Sequence, residues 1–117
     1  MPGNPLSAEA RKTADSTVID LKGDIDRNAK DELEAAYGQA AAHGPVILNF
    51  TNVDYINSTG IAVIVSLLAR ARTDGRPLRA CGLSAHYREI FQITRLSDFM
   101  SIYDDEPAAL APSARAG

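Results

Sequence analysis

Apolar residues along the chain fall alternately into short strand-like runs and longer helix-like runs. The segment TVIDLKG follows the turn-forming residues ADS and is rich in β-branched residues, which predicts an opening β-hairpin. VILNF, PLRACGL and FMSIYD are further short apolar runs, typical of strands in a parallel or mixed sheet. Helix-like segments follow every strand after the hairpin. The predicted order is β-β-α-β-α-β-α-β-α, an α/β fold whose mixed sheet of about five strands carries packed helices.

Three longer helices are predicted from capping residues and from apolar spacing. The first runs from about Asn28 to Ala42, with Asn28 as its N-cap and Gly44 after its end. The second, TGIAVIVSLLARARTDG, is apolar nearly all round in its first two turns and is expected to pack against the sheet. TNVDYINS, just before it, is predicted to be a loop. The third, SAHYREIFQITR, is expected to bury Tyr87, Ile90, Phe91 and either Ile93 or Thr94.

The length of 117 residues predicts one domain covering residues 1–117, with flexible ends at 1–7 and 112–117. The longest apolar run, GIAVIVSLLA, has about half the length needed to cross a bilayer. The opening MPGNPLSAEARK lacks the apolar core of a signal peptide. We therefore expect a cytoplasmic protein without membrane segments.

Composition and charge exclude several classes of function. Cys81 is the one cysteine, so an internal disulfide is impossible, and its apolar surroundings predict a core residue. The histidines, His43 and His86, form no metal-ligand spacing, and neither a metal nor another cofactor is predicted. The net charge of −3 without a basic block argues against nucleic-acid binding. Residues 1–58 hold nine acids and five bases, whereas residues 59–117 hold six acids and seven bases.

Motifs for catalysis are weak. NSTGIA differs from the G-x-S-x-G nucleophile elbow, and the glycines match no phosphate-binding loop. Asp24 and Asp26 are spaced as a pair for acid–base chemistry, but a polar loop after a strand explains them more simply. We therefore do not predict an enzyme.

Four small residues, Asn57 to Gly60, stand where the second helix begins. Asn57, Ser58 and Thr59 are each able to cap the helix, and Gly60 permits a close approach to its backbone. A hydroxyl here also faces the positive end of the helix dipole, where a phosphate is stabilised. The residues alone leave two interpretations open, a helix cap and a phosphoserine switch, and favour the cap because caps are commoner.

Three segments in this order, LKGDID, VILNFTNVDYINSTGIAVIV and GRPLRACGLSAHYREIFQITRLSDFMSIYDDEPAALA, resemble the STAS domain of stand-alone bacterial anti-sigma factor antagonists. The resemblance covers residues 8–111 and implies a small mixed sheet with helices. It also implies partner switching. The unphosphorylated antagonist binds an anti-sigma factor that is a serine kinase, and this frees the sigma factor. Phosphorylation ends the binding, and a metal-dependent PP2C-type phosphatase restores it.

The resemblance also implies roles for single residues. Ser58 matches the phosphorylated serine, and Thr59 is the second choice. Asn57 departs from the family, which usually has Asp directly before the serine. The partner-binding residues implied here are Asp24, Asp26, Asp54, Asn57, Ser58, Thr59, Gly60 and Ile61. The expected state is a monomer or weak dimer. The alternatives are a scaffold subunit of a larger sensory complex and a small-ligand-binding STAS protein.

Overall fold

The centre of the computed structural model, which describes residues 4–40 and 44–110, is a five-stranded mixed sheet. In order across the sheet, its strands are β1 (Ser7–Lys12), β2 (Thr17–Ile25), β3 (Val46–Ile56), β4 (Leu78–Cys81) and β5 (Ser101–Tyr103). β1 pairs with β2 in antiparallel fashion as a hairpin, and all the other neighbours are parallel. This confirms the predicted α/β fold with a mixed sheet.

Helices cover both faces of the sheet, but unequally. They are α1 (Lys30–Gly38), α2 (Ser58–Thr73), α3 (Ala85–Ile93) and α4 (Glu106–Leu110). Successive β3 residues point to opposite faces, so Leu48 joins the large core beneath α1, α2 and α3, while Ile47 joins a small cluster with Ala109 of α4. Both residues are fully buried, as expected for a strand covered on both sides.

The prediction of a loop at TNVDYINS is wrong, because β3 continues to Ile56. β2 runs alongside it and pairs Ile25 with Ile56, and two irregularities in register leave extra residues in β3. β4, on the other side, ends at Cys81 opposite Asn49. The last seven residues of β3 therefore extend beyond β4 and carry the polar segment straight into α2.

The first helix also begins differently from the prediction, since Asn28 is not its cap. The Asp26 carboxylate accepts a hydrogen bond from the Asn28 backbone N–H at 2.9 Å and caps a short 3-10 helix, Arg27–Ala29, that leads into α1. α1 ends at Gly38, and residues 41 and 42 of the predicted helix lie outside the described residues.

The predicted inner face of α3 is confirmed only in part. Phe91 is fully buried, and Tyr87 and Ile90 are half-buried, but Ile93 is 70% exposed and Thr94 is also exposed. α3 ends at Ile93, and Arg95 then adopts a left-handed conformation with φ of 69°. This turn redirects the chain, so that the buried Leu96 continues the core in place of Ile93.

The remaining predictions concern the ends of the chain, the burial of Cys81 and the length of the helices. Ser7 is the first residue of β1, and residues 1–3 and 112–117, which were expected to be flexible, lie outside the described residues. Cys81 is buried, and this burial raises the pKa of its thiol to about 11, in keeping with the predicted core position. Within residues 4–40 and 44–110, no helix has the length and apolar character needed to cross a membrane.

Candidate functional site at the start of α2

The junction between β3 and α2 lies at the carboxyl end of the parallel strands, beside the end of β2. Ile25 pairs with Ile56, and the Asn57 backbone N–H donates to the Ile25 carbonyl at 3.3 Å. Asp26 directly follows Ile25. Because the carboxyl ends of parallel strands meet at one edge of the sheet, the fold brings the GDID segment next to the NSTG segment.

Asn57 is the residue that caps α2. Its side-chain oxygen accepts one hydrogen bond from the Gly60 backbone N–H and another from the Thr59 hydroxyl, both at 2.8 Å. The structure thus selects one cap from the three candidates in the sequence. The Thr59 hydroxyl is engaged with this cap, although its side chain is exposed.

Ser58 is the first residue of α2 and is exposed. Its hydroxyl has no hydrogen-bond partner among the residues that the structure describes, which distinguishes it from the Thr59 hydroxyl. The 16-residue helix behind it presents the positive end of its dipole at this position. A phosphate on Ser58 would therefore meet helix N–H donors. The arrangement combines an accessible hydroxyl with local stabilisation of a phosphate.

Gly60 lets the first turn of α2 rest directly on the end of β2. A Cβ at this position would lie 1.9 Å from the Ile25 carbonyl oxygen, a distance at which two atoms cannot coexist. Gly60 itself is buried, and Ile61 after it is half-buried. The backbone of β2 therefore fixes where α2 begins, and with it the position of Ser58.

The three predicted acidic residues differ in exposure. Asp24 is buried with 6% of its surface exposed, and Asp26 is half-buried and caps the 3-10 helix. Asp54 is exposed and accepts a hydrogen bond from the Asn4 side chain at 3.1 Å. All three lie on the last residues of β2 and β3 or directly after them, so the fold places them at the same end of the sheet as Ser58.

The sequence reasoning missed further acidic residues at this end of the molecule. Asp24 and Asp26 line an open cavity of about 510 Å³, and the other lining residues are Asn4, Pro5, Leu6, Asn28, Asp31 and Glu32. Asp31 and Glu32 lie in the first turn of α1, which starts only four residues after Asp26 and so offered a signal. Asn4 offered none, because only the tertiary fold brings the N-terminal segment over β2, where its carbonyl accepts from the Asp24 N–H at 2.9 Å.

The acidic residues at this end do not form a metal site. Among residues 4–40 and 44–110, no group of three or more His, Cys, Asp or Glu side chains is arranged to hold a metal ion. His43, one of the two histidines considered above, lies outside the described residues.

A model of the STAS domain matches residues 7–109, which is most of the chain. The chain belongs to the STAS domain family. Two curated relatives resemble it in sequence. BtrV of Bordetella bronchiseptica, which its name assigns provisionally as an anti-sigma factor antagonist, is 32% identical over 71% of each chain. The anti-sigma-B factor antagonist of Staphylococcus epidermidis is 28% identical over 83% of this chain and 92% of the relative.

Solved structures resemble this STAS domain in fold. The unphosphorylated form of the anti-sigma factor antagonist SpoIIAA superimposes with a TM-score of 0.68, covering 95% of this chain and 98% of that one at 22% identity. The phosphorylated form of SpoIIAA from Bacillus gives a TM-score of 0.64 at 20% identity, covering 95% of this chain and 100% of that one. At these identities the likeness concerns the fold, which is the one described above.

Proposed function

We propose that this STAS domain is a phosphorylation-regulated anti-sigma factor antagonist. Its unphosphorylated form binds an anti-sigma factor that is also a serine kinase, and this binding releases the sigma factor. Phosphorylation of Ser58 ends the binding, and a PP2C-type phosphatase reverses it. The names of the curated relatives support the antagonist role. The observation that carries the switch is the exposed, unengaged Ser58 hydroxyl at the N-terminus of α2.

Ser58 is a better phosphate acceptor than Thr59 on geometric grounds. Thr59 donates its hydroxyl hydrogen to the capping oxygen of Asn57, so phosphorylating Thr59 would disrupt the cap of α2. A lost cap costs about 1 kcal/mol of helix stability. Phosphorylating Ser58 leaves the cap intact and places the new charge at a helix N-terminus, where it is stabilised. The domain then needs no large rearrangement to change its state.

The proposed release is electrostatic. A phosphate adds about −1.5 to −2 charges at neutral pH, at an end of the sheet that already carries Asp26 and Asp54. Bringing such an anion against an acidic or desolvating partner surface costs free energy. A penalty of about 3 kcal/mol would weaken binding about a hundredfold. The partner would therefore dissociate although the fold of the antagonist is unchanged.

The proposed partner surface consists of Asp24, Asp26, Asp54, Asn57, Ser58, Thr59, Gly60 and Ile61. Within it, Ser58, Thr59 and Asp54 are exposed and would make direct contact. Asp24 and Gly60 are buried, so they would act through the local charge and the shape of the junction. The role is regulatory and non-catalytic. It needs neither a cofactor nor nucleic acid, and we place it in the cytoplasm.

The experiment that tests the switch has two steps. First, affinity capture from the native cell with Ser58→Ala and Ser58→Asp baits is compared by mass spectrometry. We expect the Ala variant to retain a serine kinase of the histidine-kinase-like ATPase class and the Asp variant to lose it. Second, the captured kinase and ATP are incubated with the wild-type protein, and the phosphorylated residue is mapped. Ser58 should carry the phosphate.

Thr59→Val is the matched control, because it removes the neighbouring hydroxyl but leaves Ser58. It should still be phosphorylated at Ser58. Phosphate found elsewhere would contradict the assignment of Ser58, and equal capture by the Ala and Asp variants would contradict the electrostatic release. Sedimentation of the purified chain separates the proposed monomer or weak dimer from a scaffold subunit, which would form a large assembly.

A further inference from the structure

The edge of β3 beyond β4 carries the backbone N–H of Ile56, which no strand of residues 4–40 and 44–110 pairs. β4 pairs with β3 only as far as Asn49 and Cys81, whereas β3 continues to Ile56. On its other side β3 is still paired there, since the Asn57 N–H reaches the Ile25 carbonyl of β2. Backbone N–H groups of successive strand residues point to opposite sides. The Ile56 N–H therefore points away from β2, towards the space that β4 has left.

Tyr87 of α3 lies beside this part of β3, which β4 does not reach. The Ile56 N–H donates a hydrogen bond to the Tyr87 hydroxyl oxygen at 3.0 Å, across 31 positions of sequence. Ile56 is 5% exposed, so an unpartnered N–H here would be costly. Tyr87 thus makes a contact that a backbone carbonyl makes elsewhere in the sheet, two residues before Ser58.

The loop between β4 and α3 holds Tyr87 in this position. Gly82 has a φ of 79°, and a Cβ there would lie 2.3 Å from the Thr51 hydroxyl oxygen, so the loop lies tightly against β3. Ser84 then caps α3 by accepting a hydrogen bond from the Tyr87 backbone N–H at 3.3 Å. The Tyr87 ring packs against the core. The Ser84 cap orients the Tyr87 backbone and the core lies against one side of the ring, and both contacts direct the hydroxyl towards Ile56.

We propose that Tyr87 is a positioning residue for Ser58. The junction is held at three points: Ile56 by Tyr87, Asn57 by the carbonyl of Ile25, and Gly60 by the Asn57 side chain. Of these, Tyr87 is the only contact made by a side chain from another element. It ties α3 to the segment that presents Ser58. The proposal rests on the proposed function, in which Ser58 must be presented to a kinase in one conformation.

The test removes only the hydroxyl, with Tyr87→Phe. Amide hydrogen exchange followed by NMR should show Ile56 exchanging at least fivefold faster than global unfolding explains, with a smaller effect at Gly60. A hydrogen bond worth about 1 kcal/mol corresponds to about a fivefold change. Phosphorylation by the kinase captured above should lose about fivefold in kcat, with KM within twofold of wild type, because Tyr87 aligns Ser58 and does not dock the kinase.

Tyr37→Phe is the matched control. It also removes a tyrosine hydroxyl in a hydrogen bond, here to Asp74 at 2.7 Å, but at the other end of α2. It should leave Ile56 exchange and kcat unchanged after correction for stability. Unchanged Ile56 exchange in Tyr87→Phe, an unchanged kcat, or an equal loss of kcat in Tyr37→Phe would each overturn the proposal. If Ser58 is not the phosphorylated residue, the proposed function fails, and exchange at Ile56 and Gly60 alone decides whether Tyr87 holds the junction.

Discussion

The two ends of α2 are both polar, but their polar groups are used differently. At the C-terminal end, the Tyr37 hydroxyl donates to Asp74 at 2.7 Å, and the guanidinium groups of Arg70 and Arg76 lie 4.7 and 5.6 Å from the centre of the Tyr37 ring. Burial is the larger of two causes that raise the pKa of the Tyr37 hydroxyl, and the hydrogen bond to Asp74 is the second. At the N-terminal end, the Ser58 hydroxyl has no hydrogen-bond partner within the described part of the chain.

We call the C-terminal end of α2, at Asp74, its structural end. We call the N-terminal end, where Ser58 is exposed, its presenting end. At the C-terminal end the Tyr37 hydroxyl is paired with Asp74 and the arginines lie on the Tyr37 ring, although the Nη2 atom of Arg76 is buried without a hydrogen-bond partner among the described residues. Arginines in the last turn also complement the helix dipole. At the N-terminal end, the backbone contacts of Asn57 and Gly60 hold the helix, and these contacts leave Ser58 unengaged. The proposed function requires an accessible hydroxyl on a segment held in place, and the N-terminal end combines the exposed Ser58 with these backbone contacts.

The largest effect is expected from Gly60→Ala, which places a methyl group where the backbone of α2 contacts β2 at the presenting end. The new Cβ would lie 1.9 Å from the Ile25 carbonyl oxygen, so α2 must move away from β2. We expect a loss of about 3 kcal/mol in the free energy of unfolding, measured with urea. The loss should be accompanied by large amide shift changes from Ile56 to Ile61.

Gly38→Ala provides the control for this change. A Cβ at Gly38, the last residue of α1, meets no atom of the described residues within 4 Å. We expect it to be neutral or to stabilise the protein by about 0.5 kcal/mol, because alanine restricts the unfolded chain. A loss of stability of similar size in both variants would show that the contact between Gly60 and Ile25 does not fix α2.

Tyr37→Phe removes a hydroxyl at the structural end of α2. It removes the hydrogen bond to the Asp74 carboxylate but keeps the ring on which Arg70 lies. We expect a loss of about 1.5 kcal/mol in urea unfolding, since hydrogen bonds to charged groups are stronger than neutral ones. Because this end does not present Ser58, the rate of Ser58 phosphorylation should not change. Slower phosphorylation of Ser58 in Tyr37→Phe would contradict the assignment of separate roles to the two ends of α2.

Asn57 tests the N-terminal end further, because it caps α2 and stands where the resemblance to anti-sigma factor antagonists leads one to expect Asp. Asn57→Ala removes the acceptor for the Gly60 N–H and the Thr59 hydroxyl and should cost about 1 kcal/mol in urea unfolding. Asn57→Asp keeps an acceptor and should change stability by only about 0.3 kcal/mol. If the Asp variant destabilises the protein as much as the Ala variant, the amide is needed for more than capping.

The smallest effect is expected away from α2, in an ion-pair cluster that joins β1 to α4. Arg11 donates to Asp20 at 3.0 Å and to Glu106 at 2.7 Å. The hydrogen bond from Arg11 lowers the pKa of Asp20 below its usual 3.8, although burial opposes this. The stabilisation is complete above that value and is lost as the pH falls through the lowered pKa.

Arg11→Gln should therefore cost a few tenths of a kcal/mol at about pH 6, because the pair is partly exposed and screened by water. The difference from wild type in urea unfolding should shrink as the pH falls through the lowered pKa of Asp20. A difference that persists there would mean that Arg11 stabilises the protein through packing and not through charge.

Much of the fold could be predicted from short-range patterns. The hairpin, the buried strand at VILNF and the order of strands and helices follow from apolar spacing and turn residues, which act between neighbours in sequence. Local patterns failed where a distant segment supplied the partner. The extension of β3 depends on β2 running beside it. Ile93 was missed for a local reason, because the left-handed turn at Arg95, two residues later, ends the helical pattern there.

The candidate site also combines features that depend on neighbours in sequence with features that depend on distant segments. From the order of residues alone it follows that small hydrogen-bonding residues meet at the start of an apolar helix, and the motifs resemble the STAS domain. The role of each of these residues follows from the contacts in the folded chain. Asn57 became the cap, Thr59 was bound to it, and Ser58 was left free. Gly60 against Ile25 and Ile56 against Tyr87 are contacts between distant segments, and no local pattern can specify them because each needs the complete sheet to bring its partners together.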